Sequence, residues 1–107
     1  MSAGDWKEFY RAADEGNFEL VKLHISRGVN PNYQHPEIQM TALVTAIENG
    51  HSEIAVYLLE NGARADLESY FHQRTPLQSA LKKRDLRVLQ ALSARGVRPA
   101  WWKRLFL

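Results

Sequence analysis

Apolar side chains recur along this sequence with the spacing of short amphipathic helices, most regularly between Thr41 and Asp66. Thr41 is a good helix N-cap because its hydroxyl can accept a bond from an unpaired backbone N–H. Leu43, Ala46 and Ile47 then share one helical face, and glycines at positions 50 and 62 predict the ends of two helices. The apolar stripe of the second helix consists of Ile54, Ala55, Leu58 and Leu59. The pattern predicts a helix–turn–helix unit.

The same unit occurs three times with a fixed period. Gly28, Gly62 and Gly96 are 34 residues apart, and Thr41 recurs as Thr75 at the same interval. Supersecondary units repeated at such a period stack on one another, because one unit cannot bury its apolar face alone. The aligned apolar pairs are Ala12-Ala13, Ala46-Ile47 and Ala80-Leu81 in the first helices, and Leu20-Val21, Ile54-Ala55 and Val88-Leu89 in the second.

These residues resemble the ankyrin repeat, whose pattern is Thr-Pro-Leu-His-x-Ala-Ala, then Gly-His, Leu-Leu and Gly-Ala-Asp-x-Asn. The segment 41–66 follows it nearly throughout, and residues 7–32 and 75–100 follow it more loosely. The resemblance implies stacked helix pairs joined by extended β-hairpin fingers, with protein binding as the function. The His of the ankyrin pattern is replaced by Tyr10, Val44 and Gln78 in the three repeats. The Asp-Gly turn that precedes the pattern is replaced by Gln39-Met40 and Gln73-Arg74.

We therefore expect an all-α repeat solenoid of three ankyrin-like helix–turn–helix units with β-hairpin-like fingers, forming a single domain over residues 1–107. Its predicted parts are repeat 1 as N-terminal cap (5–32), a finger (33–40), repeat 2 (41–66), a finger (67–74), repeat 3 (75–97) and a C-terminal cap (98–107).

The composition narrows the function classes. The 107 residues include no cysteine, so disulfides and thiol chemistry are excluded, which is compatible with a reducing compartment. The N-terminus has neither a basic segment nor an apolar run, so we expect a cytoplasmic protein with no membrane partner. No nucleophile, metal-ligand spacing or glycine-rich phosphate loop stands out. We expect no enzyme activity, no catalytic or metal site and no cofactor. His24 is interpreted as a partly exposed cap residue or a hydrogen-bonded core histidine.

Charge is distributed unevenly along the chain. Residues 1–50 carry a net charge of −3 and residues 51–107 a net charge of +5. Sequence order is spatial order in a solenoid, so the two ends of the stack should differ in sign. The basic half allows a nucleic-acid partner, but aromatic residues alternate with cations only around 70–74 and at the C-terminus, so a protein partner is favoured.

The predicted fingers contain large apolar side chains where loops are usually polar. They either pack against the molecule or contact a partner, since aromatic residues and Met are enriched at interfaces. The resemblance to ankyrin repeats implies that residues 11, 14 and 15, then 45, 48 and 49, then 79, 82 and 83 face the concave side of the stack. That face should then grade from acidic to basic. The candidate partner-binding residues are Tyr33, Ile38, Met40, Glu48, Tyr70, Phe71, Arg74, Lys82 and Lys83.

The resemblance and these residues predict a module that binds a partner protein through its fingers and concave face. An alternative is a dedicated inhibitor or immunity-type factor that masks one partner. The C-terminal stretch around Trp101 and Trp102 is either a cap folded over the last repeat or an exposed contact surface. We expect a monomer, with a homodimer through Trp101 and Trp102 as the alternative.

Overall fold

The computed structural model describes residues 5–105, with side chains as far as Trp102. The molecule is elongated, measuring 48 × 26 × 21 Å. Six α-helices and two short 3₁₀ helices make up its regular structure in this range. The α-helices are α1 (Asp5–Glu15), α2 (Phe18–Ser26), α3 (Ala42–Glu48), α4 (Ser52–Glu60), α5 (Pro76–Lys83) and α6 (Leu86–Ser93), and the 3₁₀ helices are Phe71–Gln73 and Ala100–Leu105.

Most helices begin where the sequence provides a capping side chain. Asn17 accepts a bond from the Leu20 N–H at 3.2 Å, and Thr41 accepts one from the Val44 N–H at 3.0 Å. Such bonds pair N–H groups that the first helical turn leaves free. Helix α5 begins with a full capping box between Thr75 and Gln78, and Asp85 caps α6. Helix α4 starts at Ser52, without a side-chain bond from the preceding residue.

The helix pairs stack in two layers. Helices α1, α3 and α5 lie side by side in one layer, and α2, α4 and α6 form the other. The first layer buries several alanines together with larger residues such as Ile47, and the second buries mainly larger aliphatic side chains. The fully buried core includes Ala12, Ala13, Val21, Ala46, Ile47, Ala55, Leu58, Ala80, Val88 and Leu92. Three stacked helix pairs confirm the predicted repeat solenoid.

The turns inside the three repeats are equivalent, but their residues are not. Gly16 and Gly50 follow the first helix of their repeats with φ of +84° and +78°. The matching residue of the third repeat is Arg84, whose φ is +53°. A side chain in this left-handed region crowds the following carbonyl, so the arginine is strained where glycine is not.

The predicted β-hairpin fingers are not confirmed. Between residues 5 and 105 no β-strand occurs, and the connections at 33–40 and 67–74 consist of turns and one 3₁₀ helix. A single backbone hydrogen bond, from the Phe71 N–H to the Gln39 carbonyl at 2.9 Å, links the two connections directly. Pro36 lacks a backbone N–H group, which removes a donor that a ladder in the first finger would use.

His24 is a hydrogen-bonded core histidine, one of the two interpretations of its position. Its side chain is buried, and Nε2 donates to Glu8 Oε1 at 2.8 Å, joining α2 to α1. The segment after α6 forms the 3₁₀ helix Ala100–Leu105, with Trp101 half-exposed and the two indole centroids 6.4 Å apart. Residues 106 and 107 and the Leu105 side chain lie outside the described part, so the C-terminal cap stays a prediction.

Candidate protein-interaction surface

Three aromatic side chains of the connections are exposed to solvent. Tyr33 is 41% exposed, Tyr70 is 65% exposed and Phe71 is 45% exposed. Exposed aromatics supply large apolar contact area with few rotatable bonds, which is why they are common in protein interfaces. We call Tyr33, Tyr70 and Phe71 the finger surface.

Side-chain hydrogen bonds, rather than a β-ladder, tie the second connection to the first. Gln34 accepts a bond from the Tyr70 N–H at 3.0 Å and donates one to the Glu68 carbonyl at 3.1 Å. Ser69 is fully buried, and its Oγ accepts a bond from the Thr41 N–H at 2.9 Å. The backbone that carries Tyr70 and Phe71 is therefore fixed relative to the first connection and to the start of α3.

The first connection is anchored on helix α1 by ring contacts. The imidazole of His35 stacks on Trp6 with centroids 4.3 Å apart and planes 13° apart. Tyr33 contacts the same indole, with centroids 5.6 Å apart. Offset and tilted ring pairs of this kind add about 0.5–1.5 kcal/mol beyond the area that they bury. Trp6 and His35 could not be recognised as partners from the sequence, because nothing in their spacing relates a helix start to a loop.

Ile38 and Met40, two predicted binding residues, lie on the inner side of the first connection. Both are half-buried and line a small hollow together with Trp6, Phe9 and Tyr10. The hollow has room for no more than about one water molecule. These side chains pack the connection against α1 and α3.

Glu48 and Arg74, also predicted binding residues, contact each other and the next repeat. The guanidinium of Arg74 donates to Glu48 Oε1 at 2.9 Å, and Ser79 Oγ donates to Glu48 Oε2 at 3.0 Å. Arg74 also lies 5.6 Å from the centroid of the Phe71 ring, within cation–π range. This network joins α3 to α5 and supports the underside of Phe71.

Polar contacts also join the first helices of repeats 1 and 2. Tyr10 Oη and Thr45 Oγ1 are 2.8 Å apart, and Asn49 Nδ2 donates to Asp14 Oδ1 at 2.7 Å. Burial raises the pKa of Tyr10 above its ordinary value of 10.0, opposed by the Thr45 hydrogen bond and assisted by the charges of Asp14 and Glu48. Thr45 and Ser79 are buried, so part of the predicted concave surface is interior.

Lys82 and Lys83 lie exposed in the last turn of α5. Neither forms an ion pair with a residue in the described part of the chain. Cations at a helix C-terminus complement its dipole, so their position also stabilises α5.

Two features bear on other classes of site. Across residues 5–105, no three acidic or histidine side chains are grouped so that they could hold a metal ion. None of the helices in that range is long and apolar enough to cross a membrane.

Comparisons with known proteins agree with this geometry. The family profile for ankyrin repeats, in three copies, matches residues 9–100. A probable 26S proteasome regulatory subunit, p28, of Saccharomyces cerevisiae is 29% identical over 99 residues, which are 92% of this chain and 43% of that protein. A putative ankyrin repeat protein of fowlpox virus, FPV014, is 33% identical over 81 residues, 76% of this chain and 18% of the viral protein.

A third relative is the ankyrin repeat and KH domain-containing protein mask-1 of Caenorhabditis elegans, 40% identical over 53 residues, which are 50% of this chain and 2% of that protein. This chain thus spans less than half the length of the curated relatives that it matches. Ankyrin repeats are protein–protein interaction modules built on a non-catalytic fold. With three repeats matched over residues 9–100 and three helix pairs stacked in the structure, the chain belongs to the ankyrin repeat family.

Proposed function

We propose that this chain binds a partner protein through the finger surface and the adjoining concave face, without catalysing a reaction. The observation that carries the proposal is the exposure of Tyr70 and Phe71 on a backbone that Gln34 and Ser69 hold in place. A backbone that is already held in place loses little conformational entropy on binding, so more of the contact energy of its aromatic side chains contributes to affinity.

The concave residues have different parts in this proposal. Lys82 and Lys83 are free to contact an acidic region of the partner, which would affect the rate of association more than the affinity. Arg74, which is bonded to Glu48, lies against the Phe71 ring and helps to fix it. Ile38 and Met40 line the hollow behind Tyr33 and support it from the inner side.

A photocrosslinking experiment tests the finger surface directly. A photoreactive phenylalanine analogue replaces Tyr70 in the full chain, and the matched control carries it at Gln90, an exposed position on α6. After irradiation in the native host, a protein crosslinked at position 70 and absent from the control supports the proposal. Its affinity for the purified chain should then fall when Tyr70 or Phe71 becomes alanine. Equal crosslinking at both positions would contradict the assignment.

A dedicated inhibitor or immunity-type factor is the narrower form of the same proposal. It predicts that the crosslinked partner is an enzyme whose activity falls when the chain binds. Nucleic-acid binding is the second candidate, and the exposed basic residues of α5 are the observation that favours it. Phosphate contacts would give an affinity that falls steeply with salt and depends little on Tyr70.

A further inference from the structure

The tripeptide Glu-Asn-Gly occurs twice in the chain, each time at the C-terminal end of a helix. It spans residues 48–50 at the end of α3 and residues 60–62 at the end of α4, and both asparagines are exposed. An asparagine followed by glycine is prone to deamidation without an enzyme, because glycine has no side chain to hinder its own backbone nitrogen. Since the two tripeptides are identical, the structure around them decides which of the two reacts faster in the folded chain.

The reaction involves only the asparagine, the glycine and water. The backbone nitrogen of the glycine gives up its proton and attacks the side-chain carbonyl carbon of the asparagine, so that a C–N bond forms. The amide nitrogen leaves as ammonia and carries that proton away. Water then opens the succinimide ring at one of its two carbonyl carbons, which gives aspartate or isoaspartate. The rate therefore depends on whether the glycine N–H is free and whether the asparagine side chain can turn towards it.

Both reacting groups of the first tripeptide are engaged in hydrogen bonds. The Gly50 N–H donates to the Ile47 carbonyl at 3.1 Å. The side-chain amide of Asn49 donates to the Asp14 carbonyl at 3.1 Å and to the Asp14 carboxylate at 2.7 Å, so it is tied to the neighbouring repeat. That carboxylate also disfavours the nitrogen anion that has to form nearby, because like charges repel.

The nucleophile of the second tripeptide is free. Between residues 5 and 105 the Gly62 N–H has no hydrogen-bond acceptor. The Asn61 side chain makes a single bond in that range, from Nδ2 to the Tyr57 carbonyl of its own helix at 2.9 Å. The guanidinium of Arg95 donates to the Leu59 carbonyl at 3.3 Å, which places a cation near this turn. A nearby cation favours the anionic form of the attacking nitrogen.

We infer that Asn61 is a site of spontaneous deamidation in the folded protein and that Asn49 is protected from it. The two sites share a local sequence and an exposed position. They differ in the hydrogen bond of the glycine nitrogen, the number of bonds that hold the asparagine amide, and the sign of the neighbouring charge. The modification needs no partner, so it is independent of the proposed binding function.

The modified residue lies beside a contact between two repeats. Asn32 Nδ2 donates to the Gly62 carbonyl at 2.9 Å, and the Arg64 N–H donates to Asn32 Oδ1 at 2.8 Å. Isoaspartate adds one carbon atom to the main chain between residues 61 and 62, which displaces Gly62 from α4 and disturbs both bonds. A new carboxylate at the end of α4 is also unfavourable in the field of the helix dipole. Deamidation therefore weakens the contact between Asn32 and the turn after α4.

Ageing of the full chain tests the inference. Folded protein is incubated in mildly alkaline buffer at physiological temperature, and peptide mapping by mass spectrometry follows the conversion of amide to carboxyl at each asparagine. Asn61 should deamidate about tenfold faster than Asn49, a ratio equivalent to a barrier difference of ~1.4 kcal/mol. In guanidinium chloride, where the surrounding structure is lost, the two rates should converge.

Two variants separate the causes from the consequences. Asp14→Ala removes the carboxylate and one of the bonds that hold Asn49, so the rate at Asn49 should rise about threefold while the rate at Asn61 is unchanged. Asn61→Gln retains an amide that cyclises far more slowly, so it is the matched control. In aged wild type the Arg64 amide should exchange hydrogen about tenfold faster than in fresh protein, whereas aged Asn61→Gln should show no change. Circular dichroism confirms that both variants are folded.

Three results would overturn the inference. The first is an equal rate at the two asparagines of the folded chain, or a faster one at Asn49. The second is slowing of both sites by the same factor on refolding, because deamidation would then occur only through the unfolded chain. The third is unchanged hydrogen exchange at Arg64 in fully deamidated protein, which would show that the Asn32 contact does not depend on Asn61.

Discussion

The imidazole of His51 lies directly against the backbone of Gly16, across the boundary between the first and second repeats. A Cβ added to Gly16 would come within 2.7 Å of His51 Cε1 and 2.9 Å of Nδ1. The same ring donates from Nε2 to the Asp14 carbonyl at 3.0 Å, so it pairs one of the free carbonyls at the end of α1. Gly16 thus allows the positive φ of the turn, and its lack of a side chain leaves space for the histidine of the next repeat.

Gly16→Ala should therefore cost more stability than the same change at Gly50. Both glycines have positive φ, and alanine in that region costs about 1–2 kcal/mol at either site. Only at Gly16 would the new methyl group also displace His51, because nothing lies within 4 Å of a Cβ at Gly50. We expect an additional loss of about 1 kcal/mol, the size of one hydrogen bond. Urea unfolding of the two variants measures the difference, and equal losses would contradict the role of the His51 contact.

The contact between Glu48 and Arg74 should be measurable as a coupling energy. Both groups are partly exposed, so solvent screens the ion pair. Ser79 Oγ donates a hydrogen bond to the other oxygen of the Glu48 carboxylate and helps to hold it in place. A double-mutant cycle with Glu48→Gln and Arg74→Met should give about 0.5–1 kcal/mol in unfolding free energy. High salt should reduce that value. Additive single and double variants at low salt would show that the pair contributes nothing to stability.

The finger aromatics should matter little for folding. Tyr70 and Phe71 are largely exposed, so Tyr70→Ala and Phe71→Ala should change the free energy of unfolding by about 0.5 kcal/mol or less. Phe9 is buried in the core, and Phe9→Ala should cost about 3–5 kcal/mol by comparison. Thermal melts of the three variants give the ranking. A large fall in melting temperature for either finger variant would mean that the aromatics pack into the fold instead of serving a partner.

The helices could be predicted from the sequence because their signals are local. Thr41, Thr75 and Asp85 each cap a helix with a side chain that reaches an N–H three residues ahead, so the sequence near each helix start contains the whole interaction. The repeat period then placed the helix pairs beside one another.

The connections and much of the binding surface could not be predicted in the same way. Glu48 and Arg74 are 26 residues apart, and their contact depends on how a connection without periodicity lies over α3. Ile38 and Met40 turn inward for the same reason, since no pattern of alternation fixes which side of a loop faces the helices. Leu81 matches Ala13 and Ile47, which are completely buried, yet it is 36% exposed, and nothing in the local pattern distinguishes the three positions.

Arg84 offers a stabilising substitution. Its φ of +53° lies in the region that glycine occupies at the two equivalent turns, Gly16 and Gly50. Arg84→Gly should raise the free energy of unfolding by about 0.5–1 kcal/mol, because the relief of strain exceeds the extra flexibility of glycine in the unfolded chain. Arg84→Ala is the control: it removes the charge and keeps the strained backbone. A gain shared equally by both variants would attribute the effect to charge instead.

The raised pKa of Tyr10 predicts how the stability of the protein depends on pH. Burial is the main cause that raises its pKa above 10.0 in the folded protein, although the hydrogen bond with Thr45 opposes the shift and the charges of Asp14 and Glu48 add to it. An acid with a raised folded pKa binds its proton more tightly when folded. Its contribution to stability is therefore complete below pH 10 and is lost as the pH rises through the folded pKa.

Tyr10→Phe isolates that contribution. Near neutral pH the variant should be about 1 kcal/mol less stable, because the buried Thr45 hydroxyl loses its partner. Above pH 10 the wild type must also bear the cost of ionising a buried phenol, so the difference between the two proteins should narrow steadily. Tyr70→Phe is the matched control, since that ring is exposed and its removal should give no such trend. Urea unfolding across this pH range measures the difference. A constant gap between wild type and Tyr10→Phe on both sides of pH 10 would show that burial does not oppose ionisation of Tyr10.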